Sequence, residues 1–242
     1  MRKKDSLRNI IFTDTLGLPD ETKPVPAMSV IPDWYKNSDS YVQGKKEPLG
    51  KGETSATIKR CMPVFDALAH GYFILTHTDI WISQKEQEYN GKLEIMPWFQ
   101  WARFEPILFH PAQQAPLYPK ESKGNLPKWI NPWSIKTPPG YSTLFISPVH
   151  RNNVFTILEG VVDTDTHFAP VNFPMFLTDP NFEGLMPAGT PIAQVIPFQR
   201  EPWQMSIGAE SERIEAHLGI EKVRARFFDS YKNLLRQPKD YK

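Results

Sequence analysis

Proline constrains this chain more than any other residue type, because 24 of its 242 residues are prolines and they are spread along its whole length. A proline removes a backbone hydrogen-bond donor and interrupts the interior of a helix. The chain is also 12% aromatic and 40% hydrophobic, which supplies enough apolar side chain for a packed core. We therefore predict a folded, mainly β protein built from short strands and ordered loops.

The charge balance and the cysteine content exclude several classes of protein. With 28 basic and 27 acidic residues, the formal net charge is only +1, whereas nucleic-acid and anionic-membrane binders need a sustained basic surface. Hence we expect neither a membrane partner nor a nucleic-acid partner. The single cysteine, Cys61, leaves no internal disulfide or cysteine-rich zinc site. The expected location is the cytoplasm, or a virion and its host cytoplasm if the protein is encoded by a phage.

The sequence divides into three parts that we expect to form one compact domain. Residues 1–60 are rich in turns and predict an irregular, proline-rich arm. Residues 61–205 predict the β domain, with a long ordered loop over the proline-dense stretch 111–139. Residues 206–242 predict a helical extension, because proline is absent from Ser211 until Pro238.

Short apolar and β-branched runs predict the individual strands of the β domain. Asn90-Gly91 predicts a tight hairpin turn. In the extension, apolar residues recur at three- and four-residue steps and predict a helix, with Gly219 as a position where it could break. The predicted strands lie at 71–75, 79–82, 144–146, 154–158, 173–177 and 192–198, and the helical stripe is Ile220, Val223, Phe227, Tyr231 and Leu234.

Three short segments carry a family resemblance. They are Pro138-Pro139-Gly140-Tyr141, then Gly160-Val161-Val162-Asp163-Thr164-Asp165, then Gly189-Thr190-Pro191-Ile192-Ala193-Gln194. Their order and spacing resemble the trimeric dUTP pyrophosphatases, whose superfamily includes the dCTP deaminases. The resemblance implies a dUTPase-like β-clip barrel and a homotrimer. The pattern of the whole chain is also similar to that of proteins encoded by phage and bacterial genomes.

The same resemblance implies a pocket for a nucleotide or another small anionic ligand. In the family, the aspartate of the second segment orients the attacking water, and the corresponding residue here is Asp163. A carboxylate can polarise a water within hydrogen-bonding reach, although an aspartate in a turn equally often bonds its own backbone. The remaining implied ligand-binding residues are Tyr141, His150, Arg151, Asp165 and Gln194, with Gln194 either structural or satisfying a buried polar group.

The chain departs from the family where phosphate is held. Val149 and His150 stand in place of an arginine and a serine, and Thr166 stands in place of a tyrosine. A helix replaces the glycine-rich tail that closes over the phosphates. The resemblance therefore implies the fold most strongly and a ligand pocket less strongly. We expect any nucleotide-hydrolase activity to be altered or lost. A divalent cation such as Mg²⁺ could be held by His150, Asp163, Asp165 and His167, unless these are solvated side chains at a polar rim.

Two other interpretations remain open. His77 and Asp79 stand two residues apart on a predicted strand, so they share a face, and with the distant His150 they form the ligand set of a non-haem Fe(II) oxygenase. Alternatively they are polar residues at the end of a strand. The second interpretation is a structural, assembly or interaction protein of a phage particle, which the long arm and the terminal helix would suit.

The numerous tryptophans also allow two interpretations. Aromatic rings can stack on bases or sugars, but tryptophan buries a large area and commonly anchors loops to a core. We expect core packing for this set, which comprises Trp98, Trp101, Trp129, Trp133 and Trp203.

Overall fold

The computed structural model of the protein describes residues 8–50, 53–89, 91–114, 126–225 and 228–241. Within these residues the chain is mainly β, as predicted. The strands are β1 (Ile11–Asp14), β2 (Val25–Pro26), β3 (Pro48–Gly50), β4 (Glu53–Thr54), β5 (Tyr72–Leu75), β6 (Ile80–Tyr89), β7 (Lys92–Trp101), β8 (Ile107–His110), β9 (Leu126–Trp129), β10 (Trp133–Lys136), β11 (Tyr141–Ile146), β12 (Phe155–Ile157), β13 (Gly160–Val162), β14 (Phe173–Leu177), β15 (Gly184–Met186) and β16 (Pro191–Gln199). The α-helices are α1 (Asp33–Asn37), α2 (Met62–Ala69) and α3 (Glu210–Arg224).

The chain forms two compact units rather than the predicted succession of arm, β domain and extension. The first unit combines the residues up to Pro26 with Gly71–Arg200, and the second combines Ala27–His70 with Glu201–Lys242. The arm is divided because β2 pairs with β5 in the first unit. The second unit is joined by long-range contacts such as the ion pair between Asp66 and Arg236.

The first unit is built from antiparallel sheets. One sheet has five strands in the order β13-β11-β16-β5-β2, and another has four in the order β12-β14-β9-β8. A third sheet has the order β15-β6-β7, and β1 pairs with β10. Neighbouring strands in these sheets all pair antiparallel.

A single apolar core cluster joins these sheets. Side chains alternate between faces along a strand, and β14 shows this directly because its first, third and fifth residues are buried. Burial of one large apolar side chain stabilises the fold by about 1.5–3 kcal/mol. Fully buried members of the cluster include Ile74, Ile80, Trp129, Phe145 and Phe173.

The three segments that carry the family resemblance lie side by side in the five-stranded sheet. Strand β11 lies between β13 and β16, with Leu144 opposite both Val161 and Ile196. The turns that lead into β11 and β16 contain Gly140 and Gly189, whose φ angles are 86° and 82°. Glycine adopts such positive φ angles without steric cost. These two glycines therefore allow the sharp turns that precede β11 and β16.

The predicted hairpin at Asn90-Gly91 is confirmed by the pairing of β6 and β7, which places Tyr89 opposite Lys92. Gly91 has a φ of 75°, whereas Asn90 lies outside the described residues. The predicted loop over 111–139 is wrong in part, since β9 and β10 both lie within it. Residues 115–125 of that stretch are outside the described part of the chain.

The second unit is smaller and carries the helices. Pro63 stands in the first turn of α2, where its missing N–H is not needed. The core of this unit consists of Ile31, Tyr35, Leu68 and Ala69. The predicted C-terminal helix is confirmed as α3.

Helix α3 continues through Gly219 without a break. Of the predicted stripe, Ile220 and Val223 lie on α3, Tyr231 and Leu234 lie in a separate helical turn, and Phe227 is outside the described residues. Among the described residues, no helix is long and apolar enough to cross a membrane.

Candidate functional site

The predicted ligand-binding residues fall into two groups at opposite ends of β11. Asp163 and Asp165 follow β13 and lie near Tyr141, at the start of β11. Gln194 lies opposite Ile146 at the other end, where His150 and Arg151 follow in the chain. The strand runs from Tyr141 to Ile146, so its two ends lie about 17 Å apart at roughly 3.3 Å per residue. The structure therefore does not bring these residues into one pocket.

Arg200 organises the first group, which is a cluster of hydrogen bonds at one end of the five-stranded sheet. Its Nη1 donates to the Tyr141 carbonyl oxygen at 3.0 Å, to Asp165 Oδ1 at 2.9 Å and to Asp163 Oδ1 at 3.2 Å. Its Nη2 donates to the other carboxylate oxygen of Asp165, so this contact is bidentate. The Gly140 N–H also donates to Asp165, at 2.8 Å.

The two carboxylates of this cluster have different environments. The Asp165 side chain is only 6% exposed, and its hydrogen bonds from Arg200 and the Gly140 N–H lower the pKa of its carboxyl to about 2. The Asp163 side chain is 63% exposed, and its Oδ1 accepts a hydrogen bond from the Ser142 hydroxyl at 2.6 Å. Asp165 therefore links the turn before β11 to the residue after β16, whereas Asp163 presents a carboxylate to solvent.

The second group is also held by contacts within the fold. His150 has a left-handed backbone, with a φ of 53°. The preceding Val149 N–H donates to Oε1 of the fully buried Gln194 at 3.2 Å, so Gln194 holds the backbone of this turn. The Arg151 guanidinium lies 4.7 Å from the Phe73 ring centroid, and burial lowers its pKa. This end of β11 is therefore a packed turn.

The alternative metal site is not assembled. Among the described residues, no group of three or more His, Cys, Asp or Glu side chains could hold a metal ion. The His77 ring is buried against Trp129, and Asp79 Oδ1 accepts the Ala188 N–H at 2.8 Å. The predicted triad of His77, Asp79 and His150 is therefore wrong, because Asp79 caps a turn and His77 points into the core.

The same finding removes the cation site that the sequence placed on His150, Asp163, Asp165 and His167. His150 lies beyond the end of β11 opposite to the one near Asp163 and Asp165. The two aspartates are bound instead by the guanidinium of Arg200.

Comparison with known proteins gives no family assignment. A scan against protein-family models returns no match, and neither does a search of the curated proteins. Function is therefore inferred from the geometry of the chain itself.

Among the residues that the structure describes, the most exposed large apolar side chains lie in a segment that the sequence did not single out. Residues 201–209 connect β16 to α3 outside any strand or helix. Trp203 and Met205 are each 88% exposed and Ile207 is 92% exposed. The expectation of core packing holds for the buried Trp129 and Trp133 and for the partly buried Trp101, but it is wrong for the exposed Trp98 and Trp203. The alternation of apolar residues at 203, 205 and 207 is the sequence signal that could have identified this segment.

Helix α3, which follows this segment in the chain, is exposed as well. None of its residues is buried, and Ile214 and Leu218 are 53% and 66% exposed. These two residues are four apart, so they lie on one face. Large apolar side chains left exposed together are typical of a surface that another molecule covers. We call residues 201–225 the docking segment.

Charge is distributed unevenly along α3. Its first half has an excess of two negative charges, from Glu210, Glu212 and Glu215 against Arg213. Its second half has an excess of one positive charge, from Lys222 and Arg224 against Glu221. The helix is therefore acidic at its start and basic at its end, which also matches the helix dipole.

Proposed function

We propose that the chain is a structural subunit that assembles with a second copy of itself through the docking segment. The observation that carries the proposal is the exposure of Trp203, Met205 and Ile207, each about nine-tenths open to solvent. Covering each of them would contribute about 1.5–3 kcal/mol. The three residues alternate with Gln204 and Ser206 along the chain, so one short stretch offers three large apolar side chains to a partner.

The charges of α3 favour a second copy as that partner. Two α3 helices packed antiparallel would place the acidic half of each against the basic half of the other. Such a pair has two-fold symmetry, so the same patch is used on both subunits. With the symmetry axis near Leu218, this leucine packs against its own counterpart and Ile214 lies beside it. A parallel pair would place like charges together.

The first test is the triple variant Trp203→Ser, Met205→Ser and Ile207→Ser, for which we expect the dimer to dissociate. Removal of three apolar anchors should weaken association at least a hundredfold, since a 2.7 kcal/mol loss already corresponds to about that factor. Sedimentation equilibrium of the wild-type chain and the variant, over a range of micromolar concentrations, measures the change directly.

A matched control exists on β7, where Leu93, Ile95 and Trp98 are also exposed apolar residues. Their replacement by serine should leave the dimer intact. A wild-type chain that stays monomeric at high concentration would contradict the proposal. Equal dimerisation of the wild type and the Trp203, Met205 and Ile207 variant would contradict it too.

A second candidate function is nucleotide binding by a dUTPase-like β-clip barrel, with catalysis altered or lost. It is supported by the adjacency of β13, β11 and β16 and by the exposed carboxylate of Asp163, which Ser142 and Arg200 orient. Two carboxylates against one guanidinium leave an excess negative charge, which disfavours a phosphate. For this reason the nucleotide interpretation ranks below self-assembly.

The nucleotide interpretation predicts a rise in melting temperature with at least one deoxynucleoside triphosphate in the presence of Mg²⁺. Ligand at 100 times its Kd stabilises a protein by about 2.7 kcal/mol. Because Asp163 is exposed, Asp163→Asn should abolish this rise while it changes the melting temperature of the free protein little. A panel of deoxynucleotides that leaves the melting temperature of the wild type unchanged would remove this candidate.

A further inference from the structure

The sheet formed by β15, β6 and β7 carries two half-exposed tryptophans on one face. Side chains alternate between faces along a strand, and Ile80, Ile82 and Phe99 point into the apolar core. The residues next to them in β6 and β7 therefore point the other way. Trp81 is 43% exposed and Trp98 is 41% exposed. We call this side of the sheet the outer face; its residues in β6 and β7 include Trp81, Ser83, Lys85, Trp98 and Gln100.

The strand register places the two tryptophans close together. Trp81 lies opposite Gln100, and Ser83 lies opposite Trp98. The two indoles are therefore diagonal neighbours across the ladder, and such neighbours lie about 7–8 Å apart. On the other side of β6, the exposed Leu185 of β15 lies opposite Trp81. The outer face thus presents an open apolar platform of two indoles and a leucine.

Polar side chains border this platform. Gln100 is exposed beside Trp81, and the half-buried Ser83 stands beside Trp98. The Lys85 ammonium lies 4.9 Å from the Trp98 ring centroid, so it occupies one of the two faces of that ring and holds its orientation. An amide and a hydroxyl both donate and accept hydrogen bonds. A ligand stacked on the indoles would therefore meet hydrogen-bonding groups at its edges.

The charge of the β6–β7 hairpin decides between the two kinds of ligand that stack on aromatic rings. Residues 80–101 contain two lysines and three glutamates, an excess of one negative charge. Proteins that stack the bases of single-stranded nucleic acids combine aromatic rings with a positively charged groove for the phosphates. The hairpin has no such excess of positive charge. Its charge therefore favours an uncharged, hydroxyl-rich ligand.

We propose that the outer face binds an oligosaccharide built from sugars whose ring substituents are all equatorial, as in a cellulose-like glucan. Both faces of such a sugar ring carry only C–H bonds, whose weakly positive hydrogens pack on the negative face of an indole. One sugar stacks on Trp81 and another on Trp98, while their hydroxyls reach Gln100 and Ser83. Such a ligand lies on an open surface and needs no cavity. This inference does not depend on self-assembly.

Cellohexaose is the probe, and isothermal titration calorimetry of the full chain measures its Kd. Maltohexaose has the same sugar in the same number, but its linkages curve the chain. We expect maltohexaose to bind at least tenfold more weakly, because a curved chain cannot stack on both indoles of a sheet face. Glucose covers only one indole and should also bind at least tenfold more weakly than cellohexaose.

Substitutions on the two faces of the hairpin locate the site. Trp81→Ala and Trp98→Ala should each weaken cellohexaose binding at least tenfold, since each removes one stacking ring. Trp81→Phe keeps a ring and should bind with an affinity between those of the wild type and Trp81→Ala. Ile95→Ser is the matched control, because Ile95 is exposed on the opposite face of β7. This control should bind cellohexaose as the wild type does.

Four results would overturn the proposal. They are no heat of binding with millimolar cellohexaose, equal affinity of the wild type and Trp81→Ala, tighter binding of an oligodeoxythymidylate than of cellohexaose, and loss of self-association in Trp98→Ala. The third result would make the outer face a nucleic-acid surface, and the fourth would make it an interface between copies of the chain.

Discussion

Replacement of Gly71 by alanine should lower the free energy of unfolding by at least about 4 kcal/mol, an exceptionally large effect for one methyl group. Gly71 has a φ of 75°, and a Cβ atom added there would lie 2.2 Å from the Val195 carbonyl oxygen. That oxygen belongs to β16, whose Val195 pairs with Tyr72 at the start of β5. The backbone of one strand would therefore have to move away from the other.

Gly140 is the matched control for Gly71. Its φ of 86° is similar, but a Cβ atom there would have no neighbour within 4 Å. Gly140→Ala should therefore lower the free energy of unfolding by only about 1–2 kcal/mol, which is the strain of an alanine in the left-handed conformation. Urea denaturation of both variants measures the difference. Equal destabilisation of the two would contradict the close approach of β5 to β16.

Replacement of Asp66 by asparagine should destabilise the second unit by about 2–3 kcal/mol, because it removes a partly buried charge that several donors share. The Asp66 carboxylate accepts from Arg236 through both Nε and Nη2, from Lys239 Nζ at 2.7 Å and from the Tyr241 hydroxyl. The Tyr241 ring packs edge-on against Phe65 at 6.1 Å. The C-terminal tail is therefore fastened to α2 through one carboxylate.

Hydrogen exchange of residues 236–241 measures this effect, and we expect it to accelerate in Asp66→Asn. Asp33→Asn is the control, because Asp33 pairs with Lys36 at the surface and such pairs contribute little. Unchanged exchange in the Asp66 variant would show that the tail is held by other contacts.

The same carboxylate gives the second unit a defined pH dependence. The donors around Asp66 lower the pKa of its carboxyl far below the ordinary value of 3.8. The stabilisation is thus complete above pH 4 and is lost as the pH falls through the lower, folded-state value. The difference in free energy of unfolding between the wild type and Asp66→Asn, measured by urea denaturation at several pH values, should therefore become smaller in strong acid.

Local sequence patterns predicted the parts of the fold that local physics decides. Short apolar runs located β14 and β16, and Asn90-Gly91 marked the hairpin between β6 and β7, since both signals act over a few residues. Strands β9 and β10 were missed because their stretch is dense in proline. A strand tolerates proline where its N–H is not needed for pairing, and Pro127 and Pro174 occupy such strands.

Long-range partners could not be predicted from a single sequence. Strand β10 pairs with β1, more than a hundred residues earlier in the chain, and Asp66 binds a tail 170 residues away. Nothing in the local sequence around Asp66 identifies Arg236 as its partner. The division into two units depends on such pairs and was therefore not foreseen.

The candidate site was likewise predicted only in part, because its long-range contacts could not be read from the sequence. The sequence placed Asp163 and Asp165 near Tyr141, and the structure does so through Arg200. Arg200 was missed although it directly follows β16, one residue beyond the Gln199 that pairs with Tyr141. His150 and Arg151 were grouped with these residues because the family resemblance gave their order along the chain but not the end of β11 at which they lie.

Disulfide cross-linking tests the antiparallel docking of two copies most directly. In a Cys61→Ser background, which removes the chain's single cysteine, Leu218→Cys should form a covalent dimer because the two-fold axis passes near it. Ser211→Cys alone should not cross-link, but mixed with Ala225→Cys it should, since these positions meet end to end in an antiparallel pair. Efficient self-cross-linking of Ser211→Cys, or no cross-link at any of these positions, would contradict the account.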